Sequence, residues 1–585
     1  MKRKRQNNIP ILAICNSPVN TNITGAWRNV RPVYSEKTPP CRESCPAGED
    51  IEGVMTLVAA KKYTDAWQLI REENPFPAVC GRVCYHPCEG GCNRGYFDEP
   101  LSINAIERFV ADTAYRNKIS KSRKGAPSRK DKVAVIGAGP AGLTGAYHLA
   151  KRGFRVTLYE AFKDPGGILT YGIPSYRLPK DVLKWEIGKI ADTGVEINCG
   201  KVLGKDIKIN ALLNSFDAIL LATGAAISRK MRIPGEDSAN VIDGSKFLRD
   251  VSAGRVSPPG KRVAVIGGGN TAVDVARSAA RLGSNVSVMY RRTRMEMGAF
   301  PEEISDALEE GIQLKFLVAP VKFISGSEGK LKSIRFIKMK LGSPDSSGRR
   351  KPVVLENSEF EENFDAAIIA IGEDIDYSLI STSKDTSGFN PDIKRGGIIT
   401  NMERVFAAGD YTGGARTVVD AIAGGKESAL AIESMLDGKN FFIESEKIKI
   451  GDGGISLCSR INNVNSHIKK LNTVVEYQNI NIDYFQQGEP PGRLKLTVDK
   501  RKNEFSEVHF PVSRADAVAE AMRCFNCGRC TECDNCYKYC PDISVLRKVK
   551  DGINYEIDYD HCKGCGICTA ECPRNVIDMI EEFKS

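Results

Sequence analysis

Residues 132–160 read KVAVIGAGPAGLTGAYHLAKRGFRVTLYE and decide the fold class of the central part of the chain. The apolar run VAVI predicts a buried strand, a glycine-rich turn follows it, and the segment after the turn predicts a helix. A second strand ends at Glu160, whose carboxylate can accept hydrogen bonds from the two hydroxyl groups of a ribose. This order is typical of a βαβ unit in a parallel sheet.

The glycines of this turn have separate physical roles in dinucleotide binding. Gly137 permits the tight turn, Gly139 lets the backbone approach a pyrophosphate, and Gly142 lets the helix pack on the strand. Pro140 and Ala141 open the helix, whose N-terminal N–H groups and positive dipole attract phosphates. The complete set predicts dinucleotide binding, and the alternative is a βαβ packing turn without a ligand.

The same pattern returns at residues 261–292, KRVAVIGGGNTAVDVARSAARLGSNVSVMYRR. Alanine stands at the third glycine position, which the pattern allows. No acid ends the second strand, where Arg291 and Arg292 stand instead. Arginines attract a 2′-phosphate that a carboxylate would repel, so NADPH is favoured over NADH. The predicted NAD(P) residues of the turn are Gly267, Gly269, Asn270, Thr271 and Ala272.

Cysteines carry the second strong signal. Of 19 cysteines, six fall between Cys41 and Cys92 and ten between Cys524 and Cys572. Disulfide frameworks belong mainly to small secreted chains, whereas tight CxxC spacings in a chain of 585 residues favour metal. The isolated Cys199 has no CxxC partner, which argues against thiol–disulfide chemistry.

The C-terminal cysteines follow the two-cluster bacterial ferredoxin pattern, in which each fourth cysteine ligates the other [4Fe–4S] cluster. One predicted ligand set is Cys530, Cys533, Cys536 and Cys572, and the other is Cys562, Cys565, Cys568 and Cys540. Zinc would prefer two CxxC pairs or a histidine partner. Cys524 and Cys527 extend the run with the same spacing. We interpret them as spare thiols, although a shifted ligand register or another metal stays open.

Charge and hydropathy exclude several functions. The net charge is +10, yet no basic block with interleaved aromatics appears, so nucleic-acid binding has no motif behind it. A docked acidic partner stays open as an alternative to a solvated surface. No run of 18 apolar residues suggests a transmembrane helix, and the start lacks the apolar core of a signal peptide. We therefore expect a cytoplasmic protein without membrane insertion.

The order of motifs resembles a known family. GAGPAG, ATG at Ala222–Gly224, GGGNTA, AIG at Ala370–Gly372 and AAGD at Ala407–Asp410 occur in the order of two-dinucleotide flavoproteins. Residues 164–180, DPGGILTYGIPSYRLPK, resemble the glutamate synthase small subunit and its relatives, which include dihydropyrimidine dehydrogenase and ferredoxin–NADP transhydrogenase. The resemblance implies FAD in the first fold, near Gly167, Gly409 and Asp410, and NAD(P)H in the second.

The resemblance also implies an N-terminal [4Fe–4S] cluster, on Cys45, Cys84, Cys88 and Cys92. Relatives usually hold a second cluster with an upstream CxxC pair, which this chain lacks. The candidate extra ligands that remain are Cys41, Cys80 and Glu107. We therefore expect three [4Fe–4S] clusters, and a fourth stays open.

The expected architecture is α/β, with two Rossmann-like domains between a helical iron–sulfur domain and a ferredoxin-like α+β domain. The predicted parts are a loosely ordered arm (1–40), the helical domain (41–130), an FAD domain (131–258 and 370–440), an NAD(P) domain (259–369), a connector (441–510) that acts as a long tether, and the ferredoxin domain (511–585).

The expected function is that of an NAD(P)H:acceptor oxidoreductase. A flavin accepts hydride as an electron pair and releases single electrons, which iron–sulfur clusters require. The acceptor would be ferredoxin or a larger terminal redox enzyme subunit, as in flavoproteins similar to the L protein that accompanies dissimilatory sulfite reductase. Two alternatives are the small subunit of NADPH-dependent glutamate synthase and an electron-transfer scaffold without nicotinamide activity. A homodimer and a hetero-oligomer are both compatible with the sequence, which leaves the direction of electron flow open.

Overall fold

A computed structural model describes residues 23–119, 127–255, 257–326, 329–345, 348–377, 400, 402–413, 417–458, 469–549 and 553–582. Two five-stranded parallel sheets lie at its centre. A helical domain precedes them and a small cysteine-rich domain follows. The predicted α/β class is confirmed. Cys15 and the first part of the predicted arm lie outside the described residues.

The helical domain packs its core against the first parallel sheet. Trp67, Ile70 and Val110 are at most 1% exposed and belong to one apolar cluster with Val133 of that sheet. Asp50 caps a helix by accepting a hydrogen bond from Gly53 N at 3.1 Å. The elements are β1 (Val30–Tyr34), β2 (Glu36–Thr38), α1 (Pro40–Glu43), α2 (Ile51–Ala59), α3 (Tyr63–Glu73), α4 (Pro77–Val83), α5 (Pro87–Gly90) and α6 (Ile103–Arg116).

The first parallel sheet has the strand order β18-β6-β3-β4-β5. Its middle strand is apolar on both faces, as a sheet covered on both sides requires, and Val133, Ala134 and Val135 are fully buried. Its elements are β3 (Lys132–Ile136), α7 (Pro140–Lys151), β4 (Arg155–Glu160), α8 (Ile168–Tyr171), α9 (Lys180–Ala191), β5 (Glu196–Cys199), α10 (Ile209–Ser215), β6 (Ala218–Leu221), β18 (Val405–Ala407) and α14 (Val418–Leu436).

The second parallel sheet has the order β11-β10-β9-β16-β8, and an antiparallel sheet of β12, β13, β14 and β15 lies beside it. Its elements are β7 (Ile227–Ser228), β8 (Val241–Asp243), α11 (Gly244–Ser252), β9 (Arg262–Ile266), α12 (Asn270–Arg281), β10 (Asn285–Tyr290), α13 (Pro301–Glu309), β11 (Gln313–Phe316), β12 (Val318–Ser325), β13 (Leu331–Pro344), β14 (Arg350–Val354), β15 (Phe360–Asn363), β16 (Ala366–Ile369) and β17 (Glu373–Asp374).

The second domain begins earlier than the sequence indicates. Strand β8 pairs in parallel with β16, with Ile242 opposite Ile368, so it belongs to the second sheet. The predicted boundary at residue 258 places it with the first domain and is wrong by about one strand and one helix. A strand of three residues carries too little periodicity to be recognised, and its place depends on the distant strand beside it.

The C-terminal part is docked on the rest of the molecule. Its elements are α15 (Phe441–Glu446), β19 (Lys469–Val474), α16 (Val498–Asn503), α17 (Arg514–Met522), α18 (Asn535–Lys538), β20 (Val545–Val549), β21 (Ile553–Ile557), α19 (Ile567–Ala570) and β22 (Ile577–Glu581). Strand β22 pairs antiparallel with β1, with Val30 opposite Glu581, and β19 pairs in parallel with β2. Residues 23–40 are therefore ordered, because β1 covers an otherwise open edge of the ferredoxin-like domain.

The connector is fixed along its described residues. Lys495, Arg501 and His509 surround Asp306 of α13, with N–O distances of 2.7, 3.3 and 3.1 Å. Glu507 binds Arg82 of the helical domain at 2.7 Å. The prediction of a long tether is wrong along the described residues, since ion pairs hold the connector to two domains. Its low periodicity arises because its side chains contact other domains and make few helices or strands of their own.

Candidate functional site

The first glycine turn has the geometry of a phosphate cradle. Gly137 has φ +102°, and a Cβ there would lie 2.3 Å from the carbonyl oxygen of Ala222. A Cβ on Gly142 would lie 1.9 Å from the carbonyl oxygen of Gly137. At Gly139, by contrast, a Cβ would meet no heavy atom within 4 Å. The space in front of the α7 N-terminus is therefore open where a pyrophosphate would approach, and the residues fit a dinucleotide.

Glu160 lies at the end of β4, directly beside this turn. Its carboxylate accepts hydrogen bonds from Ala138 N at 2.8 Å and from Phe162 N at 2.9 Å. Both contacts hold the turn and the following loop around the carboxylate, which is 5% exposed. Each carboxylate oxygen has further acceptor capacity. The position agrees with the predicted ribose contact, which stays a prediction.

Two distant segments meet the same helix terminus. Gly167 has φ +54°, and its Cβ position lies 3.0 Å from the Cα of Gly139. Gly409 has φ +67°, and its Cβ position lies 2.7 Å from the Cβ of Ala141. Asp410 follows at the start of a short 3-10 turn. The fold thus brings together the three segments that the resemblance assigns to FAD, and it needs glycine where they approach most closely.

The second glycine turn repeats the first. A Cβ on Gly267 would lie 2.2 Å from the carbonyl oxygen of Ala370, while a Cβ on Gly269 would meet no heavy atom within 4 Å. The side-chain oxygen of Asn270, the first residue of α12, accepts a hydrogen bond from Phe300 N at 3.0 Å. Ala272 is fully buried and Thr271 is half-buried. This turn also fits a dinucleotide.

The two predicted phosphate-binding arginines have different surroundings. Arg292 is 6% exposed, and it binds Asp345 at 2.8 Å and donates to the carbonyl oxygen of Arg350 at 2.8 Å. Arg291 is exposed, as is Arg294 three residues later. Arg292 therefore connects β10 to the antiparallel sheet, whereas Arg291 and Arg294 present guanidinium groups to solvent beside the turn.

Cys45, Cys84 and Cys88 lie together in the helical domain. Burial raises the pKa of Cys88 well above its usual range, and the charges of Cys45 and Cys84 raise it further. Burial raises the pKa of Cys84, with Glu107 as the next cause. Glu107 is 8% exposed and accepts a hydrogen bond from Asn74 at 3.2 Å. These three thiols and this carboxylate thus face one another.

This cysteine group borders the second dinucleotide domain. A cleft between the helical domain and that domain is lined by Cys84, Tyr85, Phe300 and Arg493, among others. The rings of Tyr85 and Phe300 stack with a centroid distance of 6.3 Å. Phe300 is also the residue whose backbone N–H binds Asn270 of the second turn. The first cysteine group is therefore adjacent to the dinucleotide machinery.

The helical domain is joined to the first sheet by a buried ion pair that sequence reasoning missed. Lys426 of α14 lies 3.0 Å from Glu73 of α3, and neither side chain is exposed. Lys426 also donates to the carbonyl oxygens of Ala47 and Ile455, at 2.5 and 2.6 Å. Ala47 stands two residues after Cys45. No local motif marks this pair, since its members are 353 residues apart.

The C-terminal cysteines lie in two groups. Burial raises the pKa of Cys536 to about 12, and the charges of Cys530, Cys572 and Cys533 raise it further. Around the other group, burial raises the pKa of Cys568 to about 11, with further contributions from Cys540, Cys562 and Cys565. Each fourth cysteine thus lies with the other triplet. Tyr34 of β1 donates a hydrogen bond to Cys536 Sγ at 3.2 Å, so the N-terminal strand contacts a predicted ligand.

No group of three or more His, Cys, Asp or Glu side chains in the described part of the chain is arranged to hold a single metal ion. A four-iron cluster separates its ligands more widely than one ion does, because each thiolate binds a different iron. Crowded buried cysteines still favour such a cluster, since ligation replaces the cost of burying several thiolates with bonds to iron.

Family models match three parts of the chain. The model described as pyridine nucleotide-disulphide oxidoreductase matches residues 131–425. The model of dihydropyrimidine dehydrogenase domain II, a 4Fe-4S cluster domain, matches residues 26–119, and the 4Fe-4S dicluster domain matches residues 529–576. The chain belongs to the pyridine nucleotide-disulphide oxidoreductase family. The iron–sulfur domains predicted at both ends are thereby confirmed.

The chain is similar to subunits of several named oxidoreductases. The chain is 34% identical over 541 residues to the NADPH-Fe(3+) oxidoreductase subunit beta of Geobacter sulfurreducens, a match that covers 87% of this chain and 78% of the relative. It is 41% identical to the NADP(+)-dependent formate dehydrogenase subunit beta of Moorella thermoacetica over 68% of this chain, and it spans only 60% of that relative. It is 33% identical to the glutamate synthase [NADPH] small chain of Azospirillum brasilense, over 68% of this chain and 87% of the relative.

These matches confirm the predicted class, an FAD- and NADPH-type oxidoreductase with 4Fe-4S domains, and they place its relatives among the subunits of larger redox enzymes. Individual ligands and binding residues stay predictions. Among the described residues, no helix combines the length and the apolar character needed to cross a membrane.

Proposed function

We propose that the chain is the electron-input subunit of a larger redox assembly. It takes hydride from NADPH onto FAD and delivers single electrons through [4Fe–4S] clusters to ferredoxin or to a terminal redox subunit. The observation that carries this proposal is the pair of open phosphate cradles at Gly139 and Gly269, at the N-termini of two 12-residue helices. Cysteine-rich segments precede and follow these two turns along the chain. One cradle suits a resident dinucleotide and the other an exchanging one.

FAD, when bound, supplies the conversion of a two-electron hydride into single electrons. The chain's own residues would hold it: the α7 N-terminus would receive the pyrophosphate, Glu160 would accept hydrogen bonds from the ribose, and Gly409 and Asp410 lie beside the same helix terminus. NADPH binds at the α12 N-terminus. Arg291 and Arg294 contact the 2′-phosphate, while Arg292 positions β10 through Asp345.

One cluster of the helical domain would be held by Cys45, Cys84, Cys88 and Glu107. This set replaces the predicted Cys92 with Glu107, supported by the carboxylate's place beside Cys84 and Cys45. Asn74 orients Glu107 through its hydrogen bond at 3.2 Å. The two C-terminal sets are those of the ferredoxin pattern. The many unpaired cysteines suit a reducing compartment, so a cytoplasmic location accompanies the proposal.

Anaerobic mixing of the FAD-loaded protein with NADPH tests this function. We expect the flavin absorbance to bleach after mixing. The absorbance of the iron–sulfur clusters should bleach after it, as electrons pass from the flavin to the clusters. NADH serves as the comparison cofactor. A flavin that NADPH and NADH both leave oxidised would favour the alternative of an electron-transfer scaffold that is reduced only by its partner.

A further inference from the structure

Among the cysteines outside the three cluster sets proposed above, four from three separate segments lie close together. Cys41 lies in α1 and Cys92 follows α5, both in the helical domain. Cys524 and Cys527 follow α17, and Cys527 stands three residues before Cys530 of the ferredoxin pattern. In the sequence, the last two look like surplus members of the C-terminal run.

The fold brings the C-terminal pair onto the helical domain. Asn93, directly after Cys92, has its side-chain Nδ2 3.5 Å from Cys527 Sγ. Arg94 donates to the carbonyl oxygen of Arg523, directly before Cys524, at 2.8 Å. The adjacent residues Asn93 and Arg94 therefore contact both ends of the segment 523–527. The rings of Phe97 and Phe525 pack edge to face with a centroid distance of 5.7 Å and add an apolar contact between the same two segments.

Further hydrogen bonds fix the far side of the same loop. Gly528 accepts a hydrogen bond from Lys37 N at 2.9 Å, and its φ is +73°. A Cβ on Gly528 would lie 2.6 Å from the carbonyl oxygen of Lys37, so the two segments of the chain approach more closely here than any residue with a side chain would permit. Thr56 of α2 donates to the side chain of Asn526 at 3.0 Å. The loop of residues 523–528 is thus held by contacts to three elements of the helical domain.

The four thiols are buried together. Cys41 is 9% exposed, Cys92 and Cys527 are 8% exposed, and Cys524 is half-buried. Burial raises the pKa of Cys41, followed by the charges of Cys92, Glu52, Cys524 and Cys527. Burial also raises the pKa of Cys524, and the charges of Cys527 and Cys92 raise it further.

The sulfur atoms also receive hydrogen bonds of the kind found at cluster ligands. Asn526 N lies 3.4 Å from Cys524 Sγ, and Asn93 Nδ2 approaches Cys527 Sγ. N–H donors directed at sulfur stabilise a thiolate and tune the reduction potential of a cluster that it ligates. The described cysteines form no disulfides, so no covalent pairing accounts for the group.

We propose that Cys41, Cys92, Cys524 and Cys527 ligate a fourth [4Fe–4S] cluster, whose CxxC pair comes from the C-terminal segment. Each thiol releases its proton on binding iron. The site replaces the upstream CxxC pair that this chain lacks with a pair more than 430 residues downstream of Asn93. It also locks the start of the ferredoxin-like domain to the helical domain, because one set of ligands belongs to both.

The assignment is independent of the nicotinamide chemistry and is tested by metal content. Full-length protein, purified and reconstituted without oxygen, is assayed for iron, acid-labile sulfide, zinc and FAD. Four clusters mean about sixteen irons per chain, and three mean about twelve. We expect about sixteen in the wild type and about twelve in the double variant Cys524→Ser, Cys527→Ser, with FAD retained. The matched control is Cys199→Ser, a half-buried cysteine outside every cluster set, which should keep about sixteen.

Mössbauer spectra of iron-57 protein give a second readout, because a quarter of the [4Fe–4S] signal should disappear in the double variant. About twelve irons in both proteins would overturn the proposal. One zinc per wild-type chain that the double variant loses would overturn it as well, since the four thiols would then hold a single ion. If the double variant fails to fold, the wild-type iron and sulfide counts decide alone. NADPH-dependent flavin bleaching is scored separately, so its failure leaves this test intact.

Discussion

Lys426 and Glu73 form a fully buried ion pair, with Nζ and Oε2 3.0 Å apart, between the helix that follows the flavin segment and the domain that carries the first cysteine group. The pair is satisfied on both sides, because Glu73 also accepts from the backbone of Leu457 and Cys458, each at 3.1 Å. It fixes how the first cysteine group faces the first dinucleotide domain.

Removing one partner should destabilise that junction. In Lys426→Met the carboxylate of Glu73 stays buried without its cation, and the expected loss is about 3–5 kcal/mol. We expect a lower thermal unfolding temperature of the holoprotein and release of FAD at lower temperature, followed by fluorescence. The matched control is Lys447→Met, since Lys447 is 62% exposed and pairs only at the surface with Glu444. Such a pair contributes about 0–1 kcal/mol, so equal effects of the two variants would contradict the role of the buried pair.

The two turn glycines near FAD should respond differently to a methyl group. Gly137→Ala forces a Cβ at φ +102° against Ala222, so it should destabilise the strand–helix junction by about 1–3 kcal/mol. Gly139→Ala meets no protein atom within 4 Å and should leave the fold intact, yet it places a methyl group where the pyrophosphate lies. We expect the apoprotein to melt normally and to bind FAD weakly. Normal FAD content in Gly139→Ala would show that the pyrophosphate lies elsewhere.

Cofactor preference should depend on the exposed arginines. Arg291→Ala together with Arg294→Ala removes charge-assisted contacts of about 1.5–3 kcal/mol, which corresponds to an increase of roughly 10–150-fold in the KM for NADPH. The KM for NADH should change little. Arg292→Ala serves as the comparison, because it breaks the contact with Asp345 and should affect NADPH and NADH alike. A wild type that already prefers NADH would contradict the assignment.

Electron exit through the C-terminal domain is testable with one exposed ligand. Cys565→Ser disrupts the set of Cys562, Cys565, Cys568 and Cys540 at its solvent-exposed member. We expect flavin reduction by NADPH to stay within about twofold of the wild type, and electron delivery to ferredoxin or to the native partner to fall at least roughly tenfold, since only electrons that leave through the altered cluster are blocked. Stopped-flow absorbance separates the two steps. Undiminished delivery would place the exit at the N-terminal clusters.

Deleting residues 511–585 would disturb the rest of the molecule as well as the ferredoxin-like domain. Strand β22 pairs with β1, and Arg28 binds Glu582, so the N-terminal segment would lose its partner. The deletion would also remove Cys524 and Cys527 from the helical domain. A point variant of one ligand leaves these interfaces in place.

The sequence by itself determined every feature that depends on local spacing. Both glycine turns and the parallel strands around them follow from residues within about thirty positions of one another, where chain geometry leaves few alternatives. The two predicted ferredoxin ligand sets follow from residues within 42 positions of one another. The fold class and the cofactor class were therefore predictable, and the placing of Cys572 and Cys540 with the opposite triplets stays a prediction.

Only the tertiary structure decided the features that join distant segments. Arg292 and Arg291 look equivalent in the sequence, yet Asp345 binds one and leaves the other at the surface. The sequence of the connector predicts a long tether, whereas in the structure Lys495 and Arg501 of the connector form ion pairs with Asp306. In the sequence Cys527 looks like a surplus thiol, whereas in the structure its sulfur lies 3.5 Å from Asn93 Nδ2 of the helical domain. Spacing along the chain constrains neighbours within one element, whereas contacts across hundreds of residues are set by how the domains pack, because burial selects partners by position in space.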